Sequence, residues 1–152
     1  GKSIGVISEA GCPGVADPGA QVVALAHRKG FQVIPLIGPS SILMALMSSG
    51  FSGQSFSFVG YLPKDKKDLK IRIKELESLS KKFKQTQIFI ETPFRNNQML
   101  ENLKTYCSPT TQISIAANIN QKNEIIKTLP ISKLRTGQLN IHKIPTVFSI
   151  MA

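Results

Sequence analysis

The chain has 152 residues, 41% hydrophobic and 18% charged, and a formal net charge of +10 from 19 Lys and Arg against 9 acids. That balance suits one domain with an adequate core and argues against disorder, and no apolar run approaches the about 18 residues of a membrane span. Only Cys12 and Cys107 are present, with no CxxC spacing, which argues against a disulfide framework and against a metal cluster. With no signal-peptide pattern at the start, the location reads as cytoplasmic. The positive excess attracts polyanions, so nucleic acid or a polycarboxylate is a fitting partner, and a plain solvated basic surface is the alternative.

Residues 3–8, Ser-Ile-Gly-Val-Ile-Ser, are predicted to form a short buried strand. A loop rich in Gly, Pro and Asp follows from Glu9 to Gly19, with Asp17 and Pro18 placed as cap and first turn of a helix. Val22, Val23, Leu25 and Ala26 carry helical spacing, and Gly30 suits the stop. Residues 31–36 read as a second strand, Gly38-Pro39-Ser40-Ser41 as a strand-to-helix turn, and residues 42–47 as a very apolar, buried helix. Residues 56–59 alternate like a strand.

From 65 to 83, Leu69, Ile73, Leu76, Leu79 and Phe83 form one apolar stripe, with Lys66, Lys67, Lys70 and Lys74 elsewhere. This predicts an amphipathic basic helix with the stripe turned inward. Residues 87–91 read as a strand, followed by Thr92-Pro93 and a helix to about Tyr106. Strands are expected at 113–117, 124–129 and 146–151. Strands alternating with helices predict an α/β fold: a mostly parallel sheet flanked by helices, mixed or antiparallel at the C-terminal end.

The glycine-rich loop after the first strand is not GxGxxG, and Pro35-Leu36 stands where an acidic residue would end the second strand. Both argue against dinucleotide binding. Candidate chemistry lies instead in turns at the carboxyl ends of predicted strands, where open α/β sheets bind ligands. In residues 8–19, small side chains let a ligand approach the backbone, against the plainer reading of a tight crossover with a helix cap. The hydroxyls of Gly38-Pro39-Ser40-Ser41 suit an amino-acid or ribose group, or are only a cap. Glu91, at the end of a buried strand, either accepts from a ribose or amino group or pairs with Arg95. Ala116-Ala117-Asn118 closes another strand. His27 and His142 read as ordinary surface residues.

Taken together, the stretch from Val6 to Gly19 (Val-Ile-Ser-Glu-Ala-Gly-Cys-Pro-Gly-Val-Ala-Asp-Pro-Gly), Pro35-Leu36-Ile37-Gly38-Pro39-Ser40-Ser41, Gly60-Tyr61-Leu62-Pro63 and Phe89-Ile90-Glu91-Thr92-Pro93-Phe94-Arg95 are similar to the signature of the small-subunit rRNA cytidine 2′-O-methyltransferase family. That family lies within the tetrapyrrole (corrin/porphyrin) methylase superfamily. Order and spacing match over residues 3–119.

The resemblance implies a two-lobed, tetrapyrrole-methylase-like α/β protein: residues 1–36 would hold the end of an N-terminal lobe with the cofactor loop and hinge, and residues 37–152 a C-terminal lobe. An N-terminal lobe with its own Gly-Pro-rich loop would precede residue 1. S-adenosyl-L-methionine is the implied cofactor, lined by Ala10, Gly11, Cys12, Val15, Ser40, Ser41, Glu91 and Asn118. The implied activity is 2′-O-methylation of ribosomal RNA, with ribosomal RNA or the small ribosomal subunit as partner and a homodimer as the assembly. The alternatives are tetrapyrrole methylation and a non-catalytic RNA- or ribosome-binding module of the same fold. Phe94 stands where members carry His, and Ala117-Asn118 where they carry Arg-Glu, so no catalytic base is assigned.

Overall fold

A computed structural model describes residues 1–152. The chain divides into two compact units, Gly1–Ser41 and Ile42–Ala152.

The first unit holds one helix, α1 (Ala20–Arg28). It starts later than the sequence predicts: Gly19, at φ 134, is its N-cap, and neither Asp17 nor any other side chain caps it. Its end is as expected. Gly30, at φ 71, donates its N–H to the His27 carbonyl, and Phe31 donates to Ala26. This paired closure satisfies two open carbonyls of the last turn and needs the left-handed residue that glycine supplies.

The two strands expected at 3–8 and 31–36 do not form; both segments are irregular. A strand exists only through a ladder partner, because its N–H and C=O groups must be paired to be buried. Within this unit the two segments do not pair, and Ile7 and Leu36 are 90% and 89% exposed. Apolar alternation therefore identified segments suited to a sheet, while the pairing that makes a strand is missing.

The second unit is built on a five-stranded sheet of β1 (Phe56–Tyr61), β2 (Thr86–Ile90), β3 (Gln112–Ala117), β4 (Ile125–Pro130) and β5 (Thr146–Met151), in the order β1-β2-β5-β3-β4. The α/β class stands, but the balance within the sheet differs from the expectation. Only β1 and β2 pair in parallel; β2–β5, β3–β5 and β3–β4 are antiparallel. The reason lies in the connections. Helical crossovers carry the chain from β1 to β2 and from β2 to β3, so these three strands share a direction. The turn from β3 to β4 is too short for a crossover and makes a hairpin. β5 then inserts between β2 and β3, running against both.

Around this sheet lie α2 (Ser41–Ser49), α3 (Lys66–Phe83) and α4 (Asn96–Tyr106). Helix α3 begins where Asp65 accepts hydrogen bonds from the Lys67 and Asp68 amides at 2.8 and 3.1 Å. Leu69, Ile73 and Leu76 of α3 and Met99, Leu100 and Leu103 of α4 join Phe89, Ile113, Ile115, Phe148 and Ile150 in the main core. Phe89 and Phe148, opposite one another in the β2–β5 register, stack with ring centroids 5.6 Å apart. Each such fully buried side chain contributes about 1.5–3 kcal/mol.

On the other face, Ala45 and Leu46 of α2 pack on Ile88, Ala116 and Val147. Helix α2 is only half covered, since Leu43 and Met47 are exposed, so the expectation of a buried helix holds for one face. The inward stripe of α3 also ends early. Phe83 is 54% exposed, and Lys82 lies over its ring. Ser80 takes the last inward position and accepts the Ala152 amide at 3.0 Å, so the final turn of α3 runs on past the last sheet residue it packs against.

Candidate functional site

In the first unit, the loop of residues 8–19 is folded on itself by short-range bonds. Ser8 Oγ donates to the Ala10 carbonyl at 2.7 Å, Val15 N–H to the Cys12 carbonyl at 3.1 Å, and Gly14 N–H to the Pro18 carbonyl at 3.2 Å. Gly11 and Gly14 both sit at φ 78, a region other residues rarely adopt. A Cβ built on Gly11 would meet nothing within 4 Å, so backbone there is open to a ligand. Cys12 Sγ lies 3.5 Å from the Pro39 carbonyl. That contact joins the first motif to the second, bringing Ala10, Gly11, Cys12 and Val15 toward Ser40, which is half-buried, and Ser41, which is exposed and opens α2.

In the second unit, the sheet register places the remaining motifs along one edge. Tyr61 pairs with Ile90, Ile90 with Val147, and Ala117 with Thr146. The carboxyl ends of β1, β2 and β3 therefore lie together, beside the start of β5. Between Phe58 and Tyr61 the β1 register slips against β2, and Gly60 stands at φ 70. This bulge accounts for the glycine of Gly60-Tyr61-Leu62-Pro63, because one strand must carry an extra residue there.

Glu91 follows β2 and is buried. Its Oε1 accepts the Thr92 amide at 2.7 Å, and its Oε2 lies 3.2 Å from Arg95 Nη2. Pairing with Arg95 is thus real, but it leaves the carboxylate incompletely used: Oε2 has a nearby charge and no aligned hydrogen-bond donor. A buried acceptor without a donor is costly unless something else supplies one. Asn118 follows β3 at φ 49, half-buried, and donates its backbone N–H to the Pro145 carbonyl at 3.0 Å. Glu91 and Asn118 thus flank the segment leading into β5.

That segment, residues 139–145, is the part of the edge that sequence reasoning missed. Buried Asn96 holds it: its Nδ2 donates to the Ile144 carbonyl at 2.6 Å and is within 3.3 Å of the Ile141 carbonyl. Asn97 Oδ1 accepts the Ile141 amide at 2.9 Å, and the Pro93 carbonyl accepts the Lys143 amide at 2.9 Å. These bonds draw the segment against Pro93-Phe94-Arg95. It has no hydrophobic period to detect. Its only signals are Asn96-Asn97 just inside α4 and Pro145 before β5. His142 is exposed, as expected, but it meets the Phe94 ring edge-on with centroids 5.9 Å apart.

No group of three His, Cys, Asp or Glu side chains that can hold a metal ion is present, and no helix is long and apolar enough to cross a membrane.

Comparison with solved structures defines the class. The methyltransferase CobJ superposes with a TM-score of 0.59 at 19% identity, over 93% of this chain and 61% of that one. Uroporphyrin-III C-methyltransferase from Thermus thermophilus, in complex with S-adenosyl homocysteine, gives 0.52 at 16%, over 93% and 62%. Diphthine synthase gives 0.60 at 15%, over 88% and 53%. The chain has the tetrapyrrole-methylase fold.

Within that class, its curated homologues are proteins named ribosomal RNA small subunit methyltransferase I. The Vibrio cholerae protein is 33% identical over 136 residues, 90% of this chain and 46% of the relative. The Bacillus subtilis protein is 37% identical over 124 residues, 82% and 41%. The chain spans about half the length of the curated relatives it matches. No family model matches it.

Proposed function

We propose that this chain serves an S-adenosylmethionine-dependent methyltransferase acting on ribosomal RNA of the small subunit, with a ribose 2′-hydroxyl as acceptor. The observation that carries this reading is the 33% identity with ribosomal RNA small subunit methyltransferase I across 136 residues. The net charge of +10 supports it, because a polyanionic acceptor gains from a basic protein. So does the edge geometry, which gathers three strand ends and an under-used buried carboxylate.

The proposed cofactor contacts are Ala10, Gly11, Cys12, Val15, Ser40 and Ser41 in the first unit and Glu91 and Asn118 in the second. The residues fit such a group. Gly11 offers open backbone, which suits the close approach of a ligand. Glu91 Oε2 offers an acceptor still lacking a donor, as a ribose hydroxyl or an amino group provides. When bound, S-adenosylmethionine supplies a methyl on a positively charged sulfur whose departure leaves a neutral thioether. The protein's part is chiefly alignment, which holds the acceptor in line and removes the entropy cost of meeting. Arg95, 3.2 Å from Glu91 Oε2, holds the carboxylate in place rather than acting on the acceptor. Neither Phe94 nor Asn118 can take a proton, so these two positions supply no base and the acceptor hydroxyl's proton passes to another group or to water. The cytoplasm, where ribosomes assemble, is the proposed location, and a homodimer the proposed assembly.

Transfer of labelled methyl tests the reading. Incubation with small-subunit RNA, or with assembled small subunits, is expected to label the RNA at a ribose. Labelling of a uroporphyrinogen-type ring, and not of RNA, would assign the tetrapyrrole acceptor instead. Salt-sensitive RNA binding with transfer to neither would leave a binding module. Calorimetry of the full-length protein checks the cofactor separately: the parent is expected to bind S-adenosylmethionine, and Gly11→Leu, which fills the open backbone, to abolish binding.

A further inference from the structure

Phe94 is the one large apolar side chain left in water at the carboxyl end of β2, with 68% of its surface exposed. Its surroundings are ordered and basic. Lys143 Nζ lies 5.5 Å from the ring centroid, and the His142 ring meets it at 78°. Lys143 takes a left-handed backbone, φ 61, which is uncommon for a lysine. The bond from its amide to the Pro93 carbonyl holds it, and His142 N–H donates to Asn140 Oδ1 at 3.2 Å. An exposed aromatic ring thus lies against a segment tied to its own strand end by a backbone bond, with a cation over the ring and an imidazole at its edge.

We infer that Phe94, flanked by Lys143 and His142, is a stacking platform for one unpaired base of the acceptor RNA. The inference rests on the RNA reading above and deepens it. A lone ring can reach a base only where that base is unstacked, so the occupant is a single-stranded nucleotide rather than duplex. Stacking on aromatic faces is the sequence-tolerant part of single-strand binding, and a neighbouring lysine meets the phosphate that accompanies the base. A protein partner fits less well. The chain's charge of +10 draws a polyanion, and the acid nearest in sequence, Glu91, is buried and faces Arg95 rather than the surface around Phe94.

The test is a titration of the chain with a single-stranded RNA oligomer carrying 2-aminopurine, whose fluorescence is quenched on stacking. The parent chain is expected to bind and to quench. Phe94→Ala is expected to weaken binding about tenfold and to lose the quenching, while Phe94→Trp keeps both. Lys143→Ala is expected to weaken binding, reduce the salt slope by about one, and leave quenching in place. Because Phe94 is exposed, the Ala variant is expected to melt like the parent, which separates loss of contact from loss of fold. Parent-level RNA binding and quenching by Phe94→Ala would overturn the platform while leaving the RNA reading intact. A parent chain that binds no RNA would overturn both. Unchanged RNA binding together with reduced self-association in sedimentation would assign the surface to a second copy of the chain.

Discussion

Thr111, which leads into β3, donates its hydroxyl to Glu77 Oε1 on α3 at 2.6 Å, tying a helix to the sheet through a buried carboxylate. The same oxygen accepts the Ser108 amide at 2.6 Å, and Lys74 Nζ lies 3.0 Å from Oε2. Glu77 is therefore an anchor of the α3 packing rather than a surface charge. Glu77→Ala, which strands a buried hydroxyl and a backbone amide, is expected to cost about 2–3 kcal/mol in urea denaturation. Lys74→Ala is expected to cost under about 1 kcal/mol, because the Lys74 side chain is 51% exposed. The reverse order of costs would mean that the ion pair, and not the hydrogen bonds, anchors the helix.

The same carboxylate sets a pH dependence. Burial alone would raise its pKa, but the bonds from Thr111 and Ser108 and the nearby Lys74 outweigh burial and hold it below the ordinary 4.5. A carboxylate with a lowered folded value adds stability that is fully present above its unfolded value and disappears as pH falls through the folded one. The melting temperature is therefore expected to decline as pH drops below about 4.5, the unfolded value. Glu77→Gln, less stable at neutral pH, is expected to show a shallower decline over the same acid range. Parallel curves for parent and variant would remove Glu77 from the acid transition.

The two cysteines are expected to react very differently. Cys107 is buried below α4, and burial, with the Glu77 charge adding to it, pushes its thiol up to about 12. Since the thiolate is the reactive form, native Cys107 is expected to resist alkylation at mildly alkaline pH. Cys12 is partly accessible in its loop. Mass spectrometry after a short iodoacetamide pulse is expected to find one label, on Cys12, and two after denaturation. A label on native Cys107 would indicate that the α3–α4 layer opens readily.

Asn96 is expected to govern the order of the segment leading into β5. Its side-chain nitrogen donates into carbonyls of Ile141 and Ile144 and lies 3.2 Å from Thr146 Oγ1. Asn96→Asp replaces that donor with an oxygen facing carbonyl oxygens, and is expected to cost about 2–3 kcal/mol, more than a lost neutral bond alone. Hydrogen exchange is expected to speed up at residues 139–145 first, with the centre of β5 following only on global unfolding. Uniform acceleration across the sheet would show instead that Asn96 stabilises the whole unit.

Much of the second unit was legible because its elements carry one clear period each. The stripe of Leu69, Ile73 and Leu76 is inward as read, and the strand over 146–151 has the predicted bounds, set by Pro145 before it and an apolar run within it. Strand direction was less legible, since composition does not say whether a neighbour in the sheet arrives by crossover or by hairpin. The strands at 3–8 and 31–36 were misread for a related reason: Ile4, Ile7, Ile34 and Leu36 suit a sheet, but pairing is a property of two segments and not of one. At the candidate site, Glu91 and Arg95 were legible as a pair because four residues separate them after a buried strand. His142 and Lys143 were not, because they reach Phe94 through a long excursion of the chain whose placement depends on buried Asn96.

The place of β5 has a consequence for biosynthesis. It is last of the five strands in chain order but third across the sheet, where it alone joins the β1–β2 pair to the β3–β4 hairpin. As the polypeptide emerges from a ribosome, those two pieces are available early and have no shared edge until residues 146–151 arrive. The nascent intermediate therefore exposes two open strand edges, of β2 and β3, which are the kind of surface that aggregates or recruits chaperones. A stalled product lacking this strand would have lost the one joint between the two halves of its sheet and would be a substrate for quality control.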